Sequence, residues 1–492
     1  MVTYGAAMKV NEALTAATLR PKAERLLALS GEKIKALEAT WEPSRGTPVY
    51  TVRGRYTSRG WTEWTQGFQF GSALLQFDAT GDEEFLDIGR RRTLEVMASH
   101  VSHVGVHDHG FNNVSTYGTL WRLLREGRVA DDGWQRHFCE LALKVSGAVQ
   151  AARWTEARAE PDGAPSAPRG SAGYIYSFNG PHSLFADTMR SLRSLAVAHQ
   201  LGHVLMGERD RPISLLGRLL THAQTNARYN VYFGEGRDVY DLPALRGRVA
   251  HESVFNVLDG TYRCPSSQQG YSPFSTWTRG HAWCLLGYPE QLEYLETVPD
   301  ADLEPFGGRE AVEGGLRRAA LAVADFYLAQ TPLDGVPYWD TGAPGLARLG
   351  DYLARPADPF NEAEPVDSSA AAIGAQGLLR LGNYLRRRGD GGLGRLYRGA
   401  AFTVVGTLFD EPYLAVDPQH QGLLLHSVYH RPNGWDYVPP GASVPRGESS
   451  MWGDYHAREL VLLLLREARG EPYPTFFDPT PAAGRAGQGG AR

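Results

Sequence analysis

With 492 residues, 42% of them hydrophobic, and a formal net charge of -5, the chain can bury a large core without disulfide or metal staples. Weak acidity and the lack of any lysine beyond Lys144 argue against a nucleic-acid-binding face, and exclude a Schiff-base or phosphate-loop lysine from the last two thirds. The longest apolar run, Leu460 to Leu465, is far too short to span a bilayer, and the N-terminal stretch has no basic, apolar, small-residue leader pattern, so the expected setting is cytoplasmic and off the membrane.

Three cysteines, Cys139, Cys264 and Cys284, form no CxxC pair and are expected as buried thiols. In Thr80-Gly81-Asp82, Gly81 suits a left-handed helix end and Asp82 caps the next helix; Leu381-Gly382-Asn383 repeats the grammar. Helical periodicity recurs in Met189, Leu192 and Ala196, in Leu316, Ala320, Val323 and Tyr327, and in Ile373, Gly377 and Leu381. About ten to twelve helices are expected. Strand-like stretches (Val49 to Val52, Tyr229 to Phe233, Leu423 to Tyr429) are too scattered for a central sheet. The pattern predicts an all-α fold, a toroid of helical hairpins, forming one domain over residues 1–477. A Pro- and Gly-rich loop insertion is expected at 157–173 and a frayed tail at 478–492.

Between the helices lie "VHDHGFNN", "YIYSFNGPHSLFAD", "RCPSSQQGYSPFSTWTRG" and "HSVYHRPNGWDY", read as non-helical segments that each precede a helix. Gathered at one end of a toroid, their aromatic rings and amides suit a sugar-binding cleft. Asp108, between His107 and His109, reads equally as a turn residue. Asp187 opens a helix, a place that lowers a carboxyl pKa, whereas a second carboxylate beside it would raise that pKa. Arg279 and Trp283, four apart, share a helix face that His281 does not; Gln268 and Gln269 lie just before, so their amides and the guanidinium fork are expected to converge on a substrate carboxylate. Trp64 is a candidate stacking platform, and His107 and His251 are further candidate substrate contacts. No HExxH, Cys/His cluster or GxGxxG motif occurs, so neither metal nor cofactor is expected.

Together, "WTQGF", "HDHGF", "FADTM", "QGYSPFSTWTRGHAW", "PYWDTGAP", "DSSAAAIGAQGLLRL" and "MWGDYHARELVLLLL" resemble, in that order from Trp61 to Leu465, glycoside hydrolase family 88, the unsaturated glucuronyl hydrolases. The resemblance implies an (α/α)6 barrel. It also implies that a 4,5-unsaturated uronic acid is removed from lyase-generated oligosaccharides by hydration of its vinyl ether. By position, Asp187 matches the family's general acid and base and Asp108 its second essential carboxylate, able to hold Asp187 protonated. Trp64, His251, Gln269, Arg279 and Trp283 match substrate-binding positions, while Gln268 and His281 depart from the family's frequent "HQGY" and "RGQAW". The expected partner is an unsaturated uronic-acid oligosaccharide, the expected state a monomer or homodimer. Alternatives are unsaturated rhamnogalacturonyl hydrolysis, a silent carbohydrate-binding protein, and a sugar epimerase using a pair from His107, His109, His251 and His281 facing across the cleft.

Overall fold

The computed structural model describes residues 7–60, 63–158 and 172–477. Twelve long helical segments run through it. They are α1 (Ala16–Thr40), α2 (Gln66–Thr80), α3 (Glu83–Val96), α4 (109–125, with a π-helical turn at Val114–Gly118) and α5 (Trp134–Ala152), followed by α6 (188–200) and α7 (Leu215–Tyr229). The remainder are α8 (Thr278–Leu295), α9 (Gly308–Gln330), α10 (Ser368–Arg387), α11 (Gly391–Leu408) and α12 (Met451–Ala468). Even-numbered helices are buried along nearly their whole length, and odd-numbered ones keep a polar outer face. The six buried helices pack in order, α2 on α4, α4 on α6, then α8, α10 and α12, and α12 returns to α2. This closed inner ring with an outer ring is the (α/α)6 barrel.

One cluster of apolar side chains extends from Met8 to Phe477. Sheet is confined to small antiparallel pieces, among them the hairpin Trp154–Ala157 with Ala172–Ile175 and the ribbon Ser183–Phe185, Glu252–Phe255, Tyr262–Ser266. No helix among the described residues is long and apolar enough to cross a membrane.

Four local expectations are corrected. Leu381-Gly382-Asn383 ends no helix but lies inside α10, where Gly382 serves close packing: a Cβ on it would stand 2.9 Å from Gly394 O of α11. "VHDHGFNN" is helical from His109, because its polar side chains find partners inside the protein: His109 meets Ser146 Oγ at 2.9 Å and Asn112 meets His100 Nδ1 at 3.0 Å. Tyr229 ends α7, and 423–429 forms no strand, only an isolated bridge at Leu424. Cys139 and Cys284 are buried as expected, but Cys264 sits on an edge of the ribbon and is exposed. The expected insertion at 157–173 lies, but for its ends, outside the described residues, as does the tail at 478–492.

The contact between α4 and α6 is close enough to demand glycine. A Cβ on Gly110 would lie 2.3 Å from Ser191 O and 2.5 Å from Ser191 Cα. Around it, Gly110 N donates to Ser191 Oγ (2.9 Å), which donates to His107 O (2.6 Å). Gly110→Ala is expected to force these backbones apart and cost about 2 kcal/mol or more of stability, read as a lowered unfolding midpoint. An unchanged midpoint would show that the helices separate without penalty.

Candidate active site

The inner helices all present their N-terminal ends to one side of the ring. Trp64 lies just before α2, Asp108 before α4, Asp187 before α6, Asp367 caps α10, and Arg279 and Trp452 sit in the first turns of α8 and α12. The aligned dipoles of these helix ends favour negative charge at this end of the barrel. A cleft opens there, lined by Trp64, Asp108, Asp187, Gln268, Gln269, Arg279 and Trp283 from the sequence-derived set.

His107 and His251, the other two residues of that set, do not line the cleft. His107 is fully buried behind the two carboxylates, its Nε2 2.9 Å from Asp187 Oδ1 and 3.8 Å from Asp108 Oδ1. His251 is buried between Phe185 and Trp277, with ring centroids 4.5 and 4.6 Å away. Its Nδ1 accepts the backbone N–H groups of Gln268 (3.2 Å) and Gln269 (3.3 Å), so it shapes the loop that carries both amides. Burial pulls its pKa down to about 4, leaving a neutral ring.

The two carboxyls shift in the opposite directions to those the resemblance implies. Burial pushes the Asp187 carboxyl up, but the His107 charge and hydrogen bond, assisted by His251 and Arg279, outweigh it and hold the group below its usual range. Asp108 is the raised one, through burial chiefly and the neighbouring Asp187 charge, against the pull of His107. Burial likewise lowers His107, but the two aspartates overcome that and lift it above an ordinary imidazole.

Arg279 lines the cleft, with its fork engaged inside the wall. It is 1% exposed, and its Nη1 donates to Asp367 Oδ2 (3.4 Å) and Val428 O, its Nη2 to Tyr429 O (2.7 Å) and Gln269 Oε1 (2.9 Å). The guanidinium carbon stands 4.6 Å from the ring centroids of both Trp277 and Trp452. The fork therefore ties three cleft-forming loops together, and the amide of Gln269 meets it inside the wall. Trp64 stacks on Trp452 at 5.1 Å, and Trp283 tilts against Phe111 at 4.9 Å, giving the cleft a continuous aromatic floor.

Sequence reading missed nine individual lining residues: Glu63, His103, Val106, Phe111, Phe178, Trp277, Tyr429, His430 and Trp435. All but Glu63 and His103 belong to the segments already singled out, which was the available signal; those two had none. The four histidines offered for an epimerase pair all lie behind the wall: His109 is held by Ser146 Oγ and His103 O, and His281 packs on Phe326 and Tyr327. None of the four lines the cleft.

No protein-family model matches the chain. It is 26% identical over 429 residues to the unsaturated glucuronyl hydrolase of Bacillus sp. strain GL1, covering 85% of this chain and 90% of that protein. It is 23% identical over 428 residues to the unsaturated chondroitin disaccharide hydrolase of Streptococcus pyogenes serotype M1, 86% of each. Among solved structures, the Bacillus sp. GL1 unsaturated glucuronyl hydrolase superposes with a TM-score of 0.63 at 23% identity, over 92% of this chain and 97% of that one. A heparin-specific unsaturated glucuronyl hydrolase gives 0.65 at 19%, over 92% and 100%. The resemblance in motif order and the resemblance in fold therefore point to the same group of proteins.

Because Arg279 works inside the protein, Arg279→Met is expected to strand Asp367 without its charge partner and cost about 3 kcal/mol, seen in chemical denaturation, with Arg279→Lys intermediate. Unaltered stability with only a raised KM would instead assign the guanidinium to the substrate.

Proposed function

We propose that this chain is a glycoside hydrolase that removes a 4,5-unsaturated uronic acid from the non-reducing end of lyase-generated oligosaccharides by hydrating its C4=C5 vinyl ether. The observation that carries the reading is the convergence of Asp108 and Asp187, 79 residues apart in sequence, on one cleft face. Aromatic walls and six inner-helix N-termini surround them. The relatives' names supply the substrate class.

Hydration of a vinyl ether needs an acid to place a proton on C4 and a negative charge to stabilise the cation that develops at C5 and the ring oxygen. It also needs a base to take a proton from the water that adds to C5. We assign Asp187 to the proton transfers and Asp108 to the second carboxyl, in contact with ring hydroxyls. The hemiketal formed at C5 then opens and releases the sugar.

His107 holds the Asp187 carboxyl below its usual range, so the group has to take up its proton as substrate binds. The uronate brings its own carboxylate and displaces water, and both changes raise the pKa of a neighbouring buried acid. No displacement occurs at C1, so the carboxylate spacing that separates inverting from retaining glycosidases has no bearing here.

Of the sequence-derived binding set, we assign Trp64, Trp283, Gln268 and Gln269 to substrate contact, with His251 and Arg279 shaping the walls they stand in. Three unpaired cysteines, one of them exposed, favour a reducing compartment, and we place the protein in the cytoplasm as a monomer or homodimer.

The test uses the ultraviolet absorbance of the conjugated uronate in unsaturated disaccharides prepared from chondroitin, hyaluronan, heparin, gellan and pectin. We expect absorbance to fall with at least one of the uronyl substrates. Asp187→Asn should slow this about a thousandfold while the disaccharide still binds. Unchanged absorbance with every substrate, or full turnover by Asp187→Asn, would refute the assignment.

A further inference from the structure

His107 occupies a place that neither a substrate contact nor a core filler explains. Its ring is fully buried, flanked by Phe178 and Phe185 at 5.8 and 5.6 Å. Its main-chain carbonyl is pinned by Ser191 Oγ (2.6 Å) and Gln150 Nε2 (2.8 Å), so the residue is anchored to both α6 and α5. From this anchored backbone Nε2 reaches Asp187 Oδ1 at 2.9 Å, with Asp108 Oδ1 3.8 Å from the same nitrogen. An imidazole within reach of both acids acts on each of them.

We propose that His107 is a positioning residue for the hydration: from behind the cleft wall its Nε2–H fixes one oxygen of Asp187, leaving the other to meet the substrate, and stabilises the carboxylate formed as the proton leaves for C4. This rests on the reading of Asp187 as the proton donor. The bond gains strength as Asp187 ionises, because a charged acceptor makes roughly twice as strong a hydrogen bond as a neutral one. It therefore favours the transition state over the protonated ground state, which is the condition for acceleration.

The charged and titratable groups acting on His107 are Asp108, Asp187 and Arg153, with His222 and His251 on the neighbouring elements. Arg153 is occupied by the carbonyls of Val104, Tyr176 (3.2 Å) and Ser177 (2.8 Å). His222 takes Ile175 N–H on Nδ1 (3.0 Å), and burial drops its pKa to about 3, so it is neutral. The two aspartates thus dominate, and the elevation of His107 follows from their proximity.

Two measurements decide this. In His107→Phe, kcat is expected to fall about a hundredfold with KM no higher, and the limb of the pH profile set by Asp187 to move to higher pH, since the group loses the partner that holds it down. His107→Gln, with an amide N–H in place of the ring, should recover part of kcat. A raised KM at unchanged kcat would make His107 a substrate contact and overturn the proposal, as would a kcat loss with the pH limb unmoved.

The second measurement needs no turnover. In histidine-labelled protein followed by NMR, the His107 ring should titrate above the ordinary imidazole range and fall in Asp187→Asn. Indifference of His107 to Asp187→Asn would overturn the contact itself. If the shift were present but the wild-type protein consumed no unsaturated substrate, the functional reading would fail and the proposed role with it, leaving only the contact.

Discussion

The beginning of α6 is clamped between two close backbone contacts, and the geometry of the cleft depends on that clamp. On one side Gly110 of α4 meets Ser191; on the other Gly287 of α8 meets Met189, where a Cβ would stand 2.6 Å from the Met189 carbonyl carbon. Side chains larger than hydrogen at these crossings would widen the inner ring, and Asp187, two residues from Met189, would move with it. Helices this close leave little room for adjustment, because packed interiors transmit displacement instead of absorbing it. Arg193 reinforces the clamp by donating to Gly110 O at 2.9 Å.

Given that fixed frame, electrostatics shape the chemistry. Inner-helix N-termini make the cleft end of the barrel favourable to anions, and two carboxyls sit there in near-complete burial, which is costly unless charge is compensated. His107 supplies the compensation from below, so the open side of the cleft need not spend a cation on the acids. The buried guanidinium of Arg279 does comparable work for the loops, holding the carbonyls of Val428 and Tyr429 and the side chain of Gln269 in one plane. Both residues hold groups that line the cleft.

The helical ring was legible in the sequence because each inner helix is apolar at helical spacing and most turns carry their own punctuation, as at Gly81, which adopts the left-handed conformation, and Asp82, whose side chain caps α3. The start of α4 was not, because His109, Asn112 and Asn113 look like loop residues until their buried partners are known. The hairpin at Trp154–Ala157 escaped notice because its second strand begins beyond a Pro- and Gly-rich stretch that carries no alternation. For the site, motif resemblance pointed to two aspartates that both line the cleft, but the opposed directions of their pKa shifts depend on a contact between His107 and Asp187 across 80 residues of sequence. Position in a motif marked Arg279 as part of the cleft, while only the fold shows that both its terminal nitrogens donate to protein groups.

The central claim is that a double bond is hydrated and that the glycosidic bond breaks as a consequence. Turnover of an unsaturated disaccharide in heavy water, followed by NMR of the quenched products, tests it most directly. Hydration places one deuterium stereospecifically at C4 of the released uronate, in step with disappearance of the double bond. Release of a uronate whose double bond is still intact would mean displacement at C1 and would contradict the account.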